Sequence, residues 1–205
     1  MSLERPILYL TIEIALDTSL PTYSGGLGVL AGDHVRSAAD MGLDLTAVSL
    51  WYRQGYGLQS FDTEKQQVLS FPNIEPELVL EDTGIRLNLT LGEDSVAVRV
   101  FRKEIPGLEG KVFVYFLDAG LEENDEKWRA CADKLYGGDA PHRLRQEMIL
   151  GFGAMALAKE LGIGDTCRVH LNEGHCAMAA VSVFEAEGNL EACKERCRFT
   201  THTPV

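Results

Sequence analysis

The sequence predicts an α/β domain in which helices cover a mainly parallel sheet. Three observations predict it. The first segment is apolar and β-branched. A glycine loop, a helical pattern and a second apolar strand follow it. The same strand–helix alternation returns in the last third. The 205 residues, 45% hydrophobic and 24% charged, are enough for one domain with its own core.

Residues 7–14 are nearly all apolar and read as a strand buried on both faces. A turn-rich loop spans 17–28. Over residues 29–41, apolar side chains at Leu30, Ala31, Val35, Ala38, Ala39 and Met41 have the spacing of a helix packed by one side on a sheet, with Gly42 as its stop. Residues 45–51 read as the next strand and complete a βαβ unit with parallel strands. In the middle, residues 77–81, 85–91, 95–102 and 112–118 read as short strands divided by turns at 82–84, 92–94 and 106–107. This predicts an antiparallel β meander inserted in the α/β frame over about residues 70–118, with Val96, Val98 and Val100 on one face. Residues 143–161 read as a long helix ended by Gly162 and Gly164, and 168–171 as a short strand. Residues 172–175 form a loop opening a helix to about 187, and a further short helix precedes 198–203, which begins as a strand. The chain stops at that strand end, where such a domain normally continues into a helix, which predicts a fragment of a longer protein.

Charge narrows the partners. Lys and Arg number 19 against 31 Asp and Glu, for a formal net charge of -12. Nucleic acid and anionic membrane surfaces need a basic face and are excluded as main partners. No apolar run reaches the roughly 18 residues of a membrane span. Residues 1–6 lack the basic head and apolar stretch of a signal peptide. The five cysteines are odd in number and scattered, which favours reduced thiols in a cytoplasmic protein over a disulfide framework. Cys193 and Cys197 are four apart, but a zinc site needs a second spaced pair, so no metal is expected.

Five stretches carry candidate chemistry. Tyr23-Ser-Gly-Gly-Leu-Gly28 follows a strand and opens a helix, so it reads either as a tight βα turn or as an anion site at a helix N-terminus. It is neither a dinucleotide fingerprint nor a Walker loop. His170-Leu-Asn-Glu-Gly-His175 and Thr200-Thr-His-Thr-Pro204 both sit at strand ends, the pattern of a shared ligand cleft. The plainer reading has Asn172 capping the helix and His170 buried in the sheet. Arg143-Leu-Arg-Gln-Glu147 reads as a solvated helix face. The aromatic and donor groups of Trp51-Tyr-Arg-Gln-Gly-Tyr56 suit either stacking on a sugar or packing at a strand end. Glu13 and Asp17 lie four apart, a spacing that does not make a glycosidase pair.

Together, Glu13-Ile-Ala-Leu-Asp17, Pro21-Thr-Tyr-Ser-Gly-Gly-Leu-Gly-Val-Leu-Ala-Gly-Asp-His34, Tyr52-Arg-Gln-Gly-Tyr56, Leu135-Tyr-Gly-Gly-Asp139, Arg145-Gln-Glu147, His170 to His175 and Thr200-Thr-His-Thr-Pro-Val205 resemble the α-glucan phosphorylases, in particular the shorter bacterial and archaeal type. The resemblance runs almost end to end. It implies that residues 1–205 are part of the Rossmann-like N-terminal domain of a two-domain GT-B enzyme. It implies phosphorolysis of the non-reducing end of glycogen or maltodextrin to glucose 1-phosphate. The implied partners are α-1,4-glucan and inorganic phosphate, and a homo-oligomer is compatible with it. The implied cofactor is pyridoxal phosphate, on a lysine of the second domain and outside this chain.

Carried over residue by residue, Gly25, Gly26, Leu27 and Gly28 match the family's glycine loop facing phosphate and glucose. His175 matches the histidine that contacts the glucosyl unit and is the catalytic candidate. Asn172 and His202 line the same cleft, and Asn124, on the 122–125 loop, corresponds to a mobile loop near the substrate. Gly57-Leu58 departs from the family, which has an aromatic and a basic residue there. The piece alone is expected to be inactive, since transition-state contacts come from both walls of a cleft. Two other functions remain: a nucleotide-sugar-dependent glycogen or starch synthase, whose glycine loop is similar, and a non-catalytic glucan-binding module.

Overall fold

The computed structural model describes residues 5–55 and 57–202. Tyr56 and residues 203–205, which end two of the quoted motifs, and residues 1–4 lie outside the described residues. Strands β1 (Ile7–Leu10), β2 (Leu45–Leu50), β5 (Glu81–Leu91), β6 (Asp94–Pro106), β7 (Lys111–Asp118), β8 (Arg168–Asn172) and β9 (Cys197–Thr200) form one seven-stranded sheet in the order β5-β6-β7-β2-β1-β8-β9. The strands from β7 to β9 pair in parallel, and β5, β6 and β7 pair antiparallel.

Alternation along the central strands divides the core. Leu8 and Leu10 of β1 face one side with Val169 and Leu171 of β8. There they meet α3 (Ala140–Glu160) and α4 (Ala177–Glu187) through Ile149, Leu150, Ala154 and Val183. Tyr9 faces the other side, where α1 (Gly26–Asp40) buries Ala31, Val35, Ala38 and Ala39. A sheet covered on both faces explains why β1 and β2 read as continuous apolar runs. Two short helices, α2 (Glu126–Arg129) and α5 (Leu190–Arg196), complete the helices.

Several expectations are revised. The first strand ends at Leu10 and not at residue 14: the Thr11 amide makes a last bond to the carbonyl of Val48 in β2 at 3.1 Å, and the chain then bends, with the Thr11 hydroxyl donating to the carbonyl of Glu13 at 2.8 Å. Residues 77–80 are not a strand, and Glu81 already opens β5. Pro76–Leu78 form a 3-10 turn with proline at its start, where the missing N–H costs nothing. The turn expected at 82–84 is a register shift inside β5. The meander is present as β5, β6 and β7, with Val96, Val98 and Val100 all buried. It is not a separate layer, because β7 pairs with β2 (Thr46 opposite Phe113) and so extends the main sheet. The hairpin of β3 (Leu58–Phe61) and β4 (Gln67–Ser70) has no counterpart in the sequence reading; β4 is exposed throughout and shows no inward alternation. Helices α1 and α3 each start three residues earlier than their periodicity suggests. For α3 the cause is Asp139, whose carboxylate accepts the His142 amide at 3.0 Å as an N-cap.

Candidate functional site

Strands β1, β8 and β9 all run parallel and end on the same edge, so the loops after them meet there. The segment after β1 carries Glu13, a carboxylate only 2% exposed. Its Oε2 accepts the amides of Ser24 at 2.6 Å and Gly25 at 3.1 Å, and its Oε1 accepts the Tyr136 hydroxyl at 2.8 Å. Three donors compensate the burial of the charge. Gly28 is needed for this fit: a Cβ there would sit 2.5 Å from the Tyr23 Cβ and 2.9 Å from Glu13 Oε2. At Gly25 and Gly26 a Cβ would meet nothing within 4 Å.

The loop amides are therefore divided. Those of Ser24 and Gly25 are consumed inside the protein, which corrects the expectation that Gly25 offers its amide to a ligand. The amides of Gly26, Leu27 and Gly28 lie in the first turn of a 15-residue helix, ahead of its hydrogen-bond ladder and at the positive end of its dipole.

Gly26 and Leu27 line a cavity of about 350 Å³ together with Tyr136, Glu173, His175 and His202. Two of its residues hold strained backbones: Tyr136 at φ 54° and Glu173 at φ 70°, ψ 170°. Each strained residue is tied by its side chain. Tyr136 bonds Glu13, and the Glu173 carboxylate accepts the backbone amide of His202.

The imidazoles are fixed as well. Arg143 Nη2 lies 3.1 Å from His175 Nε2. A guanidinium only donates, so Nε2 accepts and the proton of the neutral ring sits on Nδ1. Burial holds the His175 pKa below its ordinary value, and the nearby Arg143 charge acts in the same direction against Glu147, Glu173 and Glu13. Arg143 also lies over the Tyr136 ring, 5.8 Å from its centroid. Asn172 Nδ2 donates to Thr11 Oγ1 at 3.1 Å, so its Oδ1 faces His202 Nε2 at 2.9 Å as acceptor. Asn172 is thus the last residue of β8 and a brace for His202. It does not cap the helix.

A second cavity of about 300 Å³ adjoins the first through Leu30 and His202, with Tyr9, His34 and His170 in its wall. Tyr9 packs on both imidazoles, at ring-centroid distances of 4.7 and 5.0 Å. Burial lowers the pKa of His34 and of His170. Among the described residues no group of three His, Cys, Asp or Glu side chains is placed to hold a metal ion. All five cysteines are free thiols.

The structure thus brings Gly26, Leu27, His175 and His202 together around one cavity, with Asn172 bonded to His202, while Gly28 is buried against Tyr23 and Glu13 and does not line that cavity. Asn124 does not join them. It is buried, and its amide is saturated by Ala97 N, Ala97 O and Ala119 O at 2.7–2.8 Å, which pins its loop to β6. Trp51 and Tyr52 are core residues, with the Tyr52 hydroxyl on the carbonyl of Ile12. The 143–147 stretch is only partly a solvated face: Arg143 reaches His175, and buried Gln146 donates to the carbonyls of Cys131 and Lys134. Sequence reading missed Glu13, Tyr136 and Arg143 as parts of one network. Their one visible signal was membership of the quoted motifs.

No family model matches the chain. It is 37% identical over 98% of its length to the maltodextrin phosphorylase of Thermococcus litoralis, covering 26% of that protein. It is 32% identical over 100% of its length to the glycogen phosphorylase of Mycobacterium tuberculosis, covering 26% of it. It is 30% identical over 98% of its length to the glycogen phosphorylase of Aquifex aeolicus, covering 31%. The chain therefore spans about a quarter to a third of the length of these curated relatives. Over its whole length, then, the chain is a relative of one segment of the maltodextrin and glycogen phosphorylases.

Proposed function

We propose that this chain forms one wall of an α-glucan phosphorylase active site, in the N-terminal half of a GT-B enzyme acting in the cytoplasm. In that enzyme inorganic phosphate attacks the terminal glucosyl unit of an α-1,4-glucan and glucose 1-phosphate leaves. One observation carries the reading: Gly26 and Leu27 in the first turn of α1 and the two oriented imidazoles, His175 and His202, border the same cavity. The relatives' names supply the reaction class.

Each residue has a part. The amides of Gly26, Leu27 and Gly28 hold an oxyanion without a lysine or arginine. Glu13 and Tyr136 keep the loop in place so that these three amides stay turned outward. His175 lines the cavity, with its Nε2 taken by Arg143, so its ring is placed to contact a hexose there. With its Nε2 proton on Asn172, His202 presents Nδ1 as an acceptor in its neutral form. Pyridoxal phosphate would be attached to a lysine outside this chain. The open backbone at Gly25 and Gly26 and the first-turn amides suit an anionic group facing them, which fits the cofactor's phosphate. The chemistry such an enzyme takes from that cofactor is proton exchange with the substrate phosphate.

The direct assay is release of glucose 1-phosphate from maltodextrin and inorganic phosphate by the full-length protein that carries this chain. Release supports the reading. Consumption of a nucleotide sugar with no phosphorolysis would overturn it in favour of a synthase.

A further inference from the structure

Arg143 makes contacts that the mechanism above does not use. It stands in the first turn of α3, which carries no acidic residue there. A cation at the positive end of a helix dipole is disfavoured unless a partner holds it. Its hydrogen-bond partner is an imidazole: Arg143 Nη2 lies 3.1 Å from His175 Nε2. The same guanidinium lies over the Tyr136 ring, 5.8 Å from its centroid. The two rings also meet each other, with centroids 5.9 Å apart and planes tilted by 55°. Both rings line the main cavity, and Arg143 is not among the described residues that do. One side chain thus joins two strained loops. Tyr136, at φ 54°, lies just ahead of α3, and His175 closely follows Glu173, at φ 70°.

We propose that Arg143 is a positioning residue of this site, a clamp that holds the His175 and Tyr136 rings as one wall by presenting a donor to Nε2 of an uncharged imidazole. A protonated ring would turn an N–H toward the guanidinium, donor against donor and cation against cation. A division of labour follows. Backbone amides take the anion, and an uncharged ring meets the sugar. A cationic ring would compete with the amides for the phosphate. A guanidinium suits the task because its planar fork bonds one ring nitrogen while its face lies over a second ring; an ammonium is a point charge and cannot do both. The proposal rests on the glucan reading above and adds to it a residue that acts through His175 without touching the substrate.

The test uses the full-length protein that carries this chain. Deuterium exchange at the imidazole C2–H, followed across pH by mass spectrometry of the His175 peptide, gives the titration midpoint of that ring without relying on activity. Arg143 and Glu147 of α3, Glu173, Glu13 and the Tyr136 ring face it. Burial lowers its pKa most; Glu147 raises it, Arg143 lowers it, and Glu173 and Glu13 raise it. Arg143→Met removes the charge and the donor, so the midpoint is expected to move to higher pH. Arg143→Lys keeps the charge and is expected to hold the midpoint near that of the wild type. In phosphorolysis, Arg143→Met is expected to lower kcat about tenfold or more with KM for phosphate unchanged, and Arg143→Lys to recover part of the turnover. An unmoved His175 midpoint in Arg143→Met would overturn the proposal. So would a moved midpoint with kcat at the wild-type value. A moved midpoint in a protein whose wild type performs no phosphorolysis would overturn the glucan reading and leave the clamp standing.

Discussion

Glu13 is a built-in anion that decides which loop amides remain for a ligand. Because it accepts from Ser24, Gly25 and Tyr136, Glu13→Gln places an NH₂ group against at least one donor. Such a mismatch costs about 1–3 kcal/mol, and the urea midpoint is expected to fall accordingly. Gly26 differs from Gly28 two positions on. A side chain at Gly26 meets open space, so Gly26→Asp should leave the melting temperature unchanged. Its carboxylate would meet the substrate phosphate, and phosphorolysis by the full-length protein should fall about 100-fold or more. Near-normal turnover would refute the assignment of the loop. The histidines give a pH signature. His34, His170 and His175 are all held below the ordinary 6.5, chiefly by burial. A histidine with a lowered folded pKa binds fewer protons folded than unfolded. The stability it contributes is full above about pH 6.5 and is lost as pH falls below that value. Thermal unfolding should therefore occur at lower temperature at about pH 5.5 than at about pH 7.5, and His170→Asn should flatten that slope. A slope unchanged in the variant would assign the effect to other groups.

At the level of elements, close helix contacts hold the site's scaffold. Gly151 of α3 lies under α4: a Cβ there would stand 2.5 Å from both the Met178 Cβ and the Ala179 amide. Helix α4 follows the loop that carries His175, so Gly151→Ala should push that loop outward. The expected cost is about 1–3 kcal/mol, with shifted His175 ring resonances, measured by denaturation and NMR. Periodicity made these elements legible where one face was buried. The strands with apolar faces and the helices α1, α3 and α4 were read with the right type, and Gly42 and Gly162 do end helices at positive φ. Reading failed where burial does not dictate the pattern. The β3–β4 hairpin leaves its apolar residues Phe61, Val68 and Leu69 exposed, and residues 77–81 look apolar enough for a strand but begin with a proline turn. The helix starts were misplaced because a cap such as Asp139 is a single polar residue outside the periodic stretch.

Across the whole molecule, parallel strands deliver three distant stretches to one edge. That much of the site was visible, since the glycine loop and both histidine motifs follow strands. What held them together was not. Tyr136 reaches Glu13 across 123 positions and Arg143 reaches His175 across 32, and no local spacing encodes such contacts. Asn124 shows the converse, a motif-borne candidate that the fold spends on pinning its own loop. The net charge of -12 is compatible with the proposed neutral polysaccharide partner, and the proposed anion site rests on backbone amides instead of a basic patch. Titration of the isotope-labelled chain with glucose 1-phosphate tests that arrangement most directly. The amide resonances of Gly26, Leu27 and Gly28 and the ring of His175 should move, while Ser24 and Gly25, held by Glu13, stay in place. Unmoved Gly26, Leu27 and Gly28, or movement confined to Ser24 and Gly25, would contradict it.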